Sequence, residues 1–128
     1  MNAIKDERRT YNGMITYIKS PSVMDIVIDL GFYVTIRKSI KIKGIPRLNH
    51  KVIGKVKNWM IKELVGRDVT LFTYPHLSTD KYVEADIEID GEDLLTKVLH
   101  VADKELEKIE NEEQMEREEI GEGITEDA

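Results

Sequence analysis

"DLGFYVTIRKSIKIKGIPRLNHK", residues 29–51, holds the alternation that decides the fold. From Phe32 through Val34, Ile36, Ile40 and Ile42 apolar side chains recur at a period of two, while Lys41 and Lys43 fall on the other side, the pattern of a half-buried strand. Gly31 predicts a bend or bulge after a preceding strand, in which Met24, Ile26 and Ile28 alternate with Asp25, Val27 and Asp29. Upstream, "RTYNGMITYIK" at 9–19 predicts a first strand after a turn-like Asn12-Gly13, and "SPS" at 20–22 breaks it. Beyond Ile42 the pattern stops at "GIPRLNH", a loop crowded with Arg, Lys, Asn and His and empty of carboxylates.

The rest of the chain supplies what a meander needs for a core. Val52, Val56, Trp59, Met60 and Glu63 recur at spacings of three and four, which predicts a helix with Trp59 in the core and Gly66 placed to end it. "DVTLFTY" at 68–74 predicts a strand and residues 75–79 a loop. In the next strand Val83, Ala85, Ile87 and Ile89 alternate with Glu84, Asp86, Glu88 and Asp90. Asp90-Gly91 predicts a turn, and Leu94, Leu95, Val98, Leu99 and Ala102 a closing helix. The predicted order is strands, helix, two strands, helix.

Composition bounds the class. A chain of 128 residues, 41% hydrophobic and without an apolar run near 18 residues, has the makeup of one soluble domain, and no membrane association is expected. "MNAIKDERRT" carries charges where an export signal needs an apolar stretch, and cysteine is absent, so the expected address is the cytoplasm. The same lack of cysteine removes thiolate zinc sites, redox pairs and cysteine nucleophiles. His50, His76 and His100 are scattered and suggest no ligand cluster.

Charge is segregated along the chain. The net charge of -6 combines a body of +3 over residues 1–102 with a tail of -9 over 103–128. Residues 37–67 hold ten basic side chains against Glu63 alone, and residues 80–93 hold seven acidic ones against Lys81. Three segments are therefore expected: an arm at 1–8, a folded domain at 9–102 and an acidic extension at 103–128. In the extension Leu106, Ile109, Met115 and Ile120 make a thin apolar stripe, so it is expected to be partly helical, held weakly, and disordered over "GEGITEDA".

Three pieces together resemble a known family. "DIVIDLGFYVTIRKSIKIKGI", then "KNWMIKELVGRDVTLFTY", then "TDKYVEADIEIDGEDLLTKVL" is similar to the staphylococcal nuclease (thermonuclease-like) family, over roughly residues 10–101. That family carries an "IDLGF" strand, an "R-L-x-x-G-I-D-x-P-E" segment, a helix followed by "G-x-x-V-x-L", and "D-K-Y-G-R-x-L-A-x-V-x-V-D-G". The resemblance implies an α+β, mainly β fold: a five-stranded OB-type barrel with two or three helices. It also implies calcium-dependent phosphodiester hydrolysis, in which carboxylates hold the cation, a glutamate assists water and two arginines neutralise the phosphorus oxygens.

Taken position by position, the catalytic pattern is gone. The metal-binding Asp of the family's "D-G-D-T" falls on Ser22, the first phosphate-binding Arg on Lys41, the next metal Asp on Pro46 and the Glu of "D-x-P-E" on Asn49. Asp80, Lys81 and Tyr82 keep "D-K-Y", but the following Gly and Arg become Val83 and Glu84. Lysine lacks arginine's bidentate fork, proline offers no side-chain ligand and Glu84 reverses a charge. Asp25 and Asp29 are weak substitutes, since alternating carboxylates on a strand arise readily by chance. The expectation is a non-catalytic module without metal or cofactor. It would bind single-stranded DNA or RNA through Lys41, Lys43, Arg47, His50, Lys51, Lys55 and Lys57, with Lys81 and Tyr82 completing the surface. The alternatives are a protein-interaction factor of the phage type, docking through the fold and the acidic tail, and a residual calcium-dependent nuclease.

Overall fold

The computed structural model describes residues 8–74 and 83–127. Strands β1 (Arg9–Ser20), β2 (Val23–Asp29) and β3 (Thr35–Ile42) form an antiparallel meander. Helix α1 (Ile53–Leu64) crosses to β4 (Asp68–Thr73), β5 (Val83–Ile89) and a two-residue β6 (Glu92–Asp93), and α2 (Leu94–Asp127) closes the order. β1 pairs with β2 on one side and β4 on the other, β4 pairs with β5, and β5 returns to β3 in parallel. Five strands thus close into a mixed barrel, an α+β and mainly β architecture of the OB-like kind. No helix among the described residues is long and apolar enough to cross a membrane.

Closure explains why period-two segments suit this chain. Ile26, Ile40, Leu71 and Ile87 point inward from four strands and are fully buried, and α1, in contact with β1, adds Val56, Met60 and Leu64 to the same core. Each such side chain contributes about 1.5–3 kcal/mol on burial. Trp59 packs against this core half-buried, at its margin.

Two glycines carry the geometry. Asn12-Gly13, expected to be a turn, lies inside β1, where Gly13 pairs with both Ile28 and Val69. A Cβ there would meet Ile26 Cγ2 at 2.7 Å and the Val27 carbonyl oxygen at 2.9 Å, so this glycine serves close strand approach. Gly66, at φ +89°, ends α1 as expected. Its N–H donates to the Ile15 carbonyl at 2.8 Å, and the Ile15 N–H donates to the Arg67 carbonyl at 3.1 Å. Those bonds fall where the β1–β2 register shifts between Ile15 and Tyr17, so the exit of α1 is fastened to the irregularity in β1.

Two expectations need correction. Phe32 does not belong to the inward row of β3: Gly31, Phe32 and Tyr33 form a turn with φ of 84°, 54° and 63°, closed by Val34 N–H to Gly31 carbonyl at 2.9 Å. The strand resumes only at Thr35. The acidic extension is not a loosely held appendage either. α2 runs through Ala102 without a break, and Leu106 and Ile109 pack against the core beyond the expected domain end. Its backbone continues as helix to Asp127, through the "GEGITED" expected to be disordered. Leu106 and Ile109, three residues apart, share one side of α2, which lies in contact with α1.

Candidate nucleic-acid interface

The closing end of the barrel collects residues distant in sequence. Ser22 sits in the β1–β2 turn, and its carbonyl accepts the Ile42 N–H at 2.9 Å, which fastens the end of β3. Lys41 faces Val23 across the sheet and Glu84 across the parallel junction, with its Nζ 3.8 Å from Glu84 Oε1. A shallow cavity of about 190 Å³ then joins Ser22 to Pro46, Arg47 and Leu48. Ser22, Lys41, Pro46 and Glu84 therefore occupy one neighbourhood. Asn49 is engaged locally: its Oδ1 accepts the Lys51 N–H at 2.9 Å and its carbonyl the Val52 N–H at 3.0 Å, winding the chain into a helix that lacks a side-chain cap.

The basic residues divide by what they touch. Lys43 stacks over the Tyr74 ring at 4.1 Å, and the Tyr74 hydroxyl donates to Asp86 at 2.7 Å. That bond, with some burial and the repulsion of the Asp86 charge, raises the Tyr74 pKa above its ordinary value, with Arg8 opposing the shift. Lys51 pairs with Glu113 at 3.0 Å and Lys55 with Glu105 at 3.9 Å, so α2 lies against the basic loop. Arg47 and His50 are exposed and Lys57 half-buried, and none forms an ion pair with a described residue. Lys81 and Tyr82 lie outside the described residues.

Asp25 and Asp29 are committed separately. Asp25 Oδ1 receives the Ser39 hydroxyl at 2.8 Å and lies 3.4 Å from Lys19 Nζ, while Asp29 Oδ1 accepts the Gly31 N–H at 2.8 Å. Among the described residues no three His, Asp or Glu side chains converge as a cation site. An open cleft of about 540 Å³ beside Gly13 gathers Asp29, Asp68, Glu88 and Asp90, with no basic lining residue among the described residues, although Arg67 pairs with Asp90. Lys41 likewise pairs with Glu84, so ion pairs join the segments that charge separates in sequence.

Sequence reasoning missed Tyr74 as a platform for Lys43, and it missed the aromatic tip. Lys43 and Tyr74 each lie one residue beyond the ends of β3 and β4, which meet through β5, so the first needs the barrel closure. Comparison with known proteins finds no family model that matches the chain and no matching curated protein.

Proposed function

We propose that this protein is a non-catalytic, nuclease-like OB module that binds nucleic acid through the basic loop at the closing end of the barrel. The observation that carries the reading is the convergence of Ser22, Lys41, Pro46 and Glu84 in one place, beside a loop and helix that bring Arg47, His50, Lys51, Lys55 and Lys57. Cations presented beside a barrel face suit a phosphate backbone. Hydrolysis of the kind the resemblance implies needs a carboxylate pair and two arginines, and serine, lysine, proline and glutamate replace them here. The expected ligand is single-stranded DNA or RNA.

The test is a titration of the full-length protein with labelled single- and double-stranded DNA and RNA at two salt concentrations. Three to five phosphate contacts should give a slope of log K against log salt of about -2 to -3.5 for single strands. No binding at low salt sinks the reading. Cleavage that requires calcium and stops with EDTA would replace it with a residual nuclease. A protein-interaction role draws on a different observation: α2 continues past its last core contact as an acidic helix with Met115 64% exposed.

A further inference from the structure

The turn between β2 and β3 is unexplained by folding. Phe32 and Tyr33 are 97% and 106% exposed, and both occupy left-handed backbone at φ 54° and 63°. Two consecutive positive-φ residues match the primed hairpin turns that favour Asn-Gly. Bulky aromatic side chains there cost backbone strain and exposed apolar area together, and no core contact offsets either.

Beneath the turn lies a slot of about 220 Å³ running along β3 from Leu30 and Ile36 to Ile40 and Val83, with Tyr11 on one wall. Among the described residues its charged lining residues are Arg9 and Lys38. Val83 pairs with Ile40 across the parallel junction, so the slot runs from Leu30 at the foot of the turn to the β3–β5 junction, one residue from Lys41 and Glu84 along each strand. Tyr33 and Lys41 are eight residues apart, about 26 Å along an extended strand. That reach suits a ligand of several nucleotides.

Flat apolar faces, an apolar slot and rim cations without a carboxylate complement a polyanion that carries unpaired rings. We propose that Phe32, Tyr33 and the slot below them form a stacking site for the bases of a single-stranded nucleic acid, with Arg9 and Lys38 holding its phosphates. This rests on the nucleic-acid reading and adds to it a requirement for unpaired bases. Duplex hides its base faces, so it engages the basic loop alone.

The test compares the full-length protein with a Phe32→Asn/Tyr33→Gly double variant, using a labelled oligothymidine strand, a duplex of equal length and inorganic polyphosphate as a base-free competitor. The variant should lose about tenfold or more in single-strand affinity, with duplex affinity and polyphosphate competition unchanged. Because the substitutions supply what the turn geometry prefers, its melting temperature should rise by about 4 °C. Lys38→Gln should weaken single-strand binding and leave the melting temperature unchanged, since Lys38 is exposed. A double variant that binds the strand as tightly as the parent overturns the stacking site and leaves the basic-loop reading standing. A parent protein that binds no strand at low salt overturns both.

Discussion

The two ends of β3 teach opposite lessons. At Ile40–Ile42 the strand is held from both sides, by β2 and by β5, and its inward side chains are fully buried. At Thr35–Ile36 the same alternation continues, yet Ile36 is 36% exposed and the turn beyond it holds two bare aromatics. Identical periodicity therefore has different energetic content. Where a second neighbour covers the strand the pattern becomes core, and where it projects the pattern becomes surface.

The largest expected effect breaks that contrast directly. Ile40→Ala should cost about 2–5 kcal/mol in urea unfolding, because its cavity is enclosed by the barrel. Ile36→Ala should cost under about 1 kcal/mol, and equal losses at both positions would contradict the contrast. Gly13→Ala comes next, at about 1–3 kcal/mol, since its Cβ meets Ile26 and the Val27 carbonyl oxygen on the neighbouring strand. A normal melting curve for that variant would show that the strands can part without penalty.

A smaller effect concerns α2 and the loop it covers. Glu105→Gln/Glu113→Gln removes the partners of Lys55 and Lys51 while keeping Leu106 and Ile109 on the core. Exposed pairs of this kind contribute about 0.2–1 kcal/mol each, so nucleic-acid affinity at low salt should rise by about two- to thirtyfold. Unchanged affinity would mean that the helix does not compete for those lysines.

The smallest effect is one of pH. Tyr74 has a raised pKa when folded, mainly through its hydrogen bond to Asp86. The associated stability is present below the unfolded value near 10 and is lost as pH rises through the higher folded value. Asp86→Asn should move the phenol titration, followed by ultraviolet absorbance against a Tyr74→Phe control, back towards its ordinary position. No movement would place the cause elsewhere.

Much of this was legible in residue order. The rows Met24-Ile26-Ile28 and Val83-Ala85-Ile87-Ile89 gave strand faces because alternate side chains point to opposite sides. Val56, Met60 and Leu64 gave the buried face of α1 by helical spacing. Parity along a strand contains no information about a turn at positive φ, so it places Phe32 on the inward row. Leu106 and Ile109 are sparse in sequence, and their hold on the core arises only once the two helices lie together.

Residue order by itself determined the elements, the inward faces and the separation of basic from acidic segments, since these follow from local periodicity and composition. Only the tertiary structure decided which outward residues meet. Lys41 faces Glu84 and Lys51 faces Glu113 because barrel closure and helix docking join segments far apart in the chain. The loop after "IKIK" keeps its cations beside the positions where the family resemblance expects carboxylates, and the turn before it exposes two aromatic rings. Local alternation cannot specify either outcome, because each depends on how long-range pairing and turn handedness place the same side chains in space.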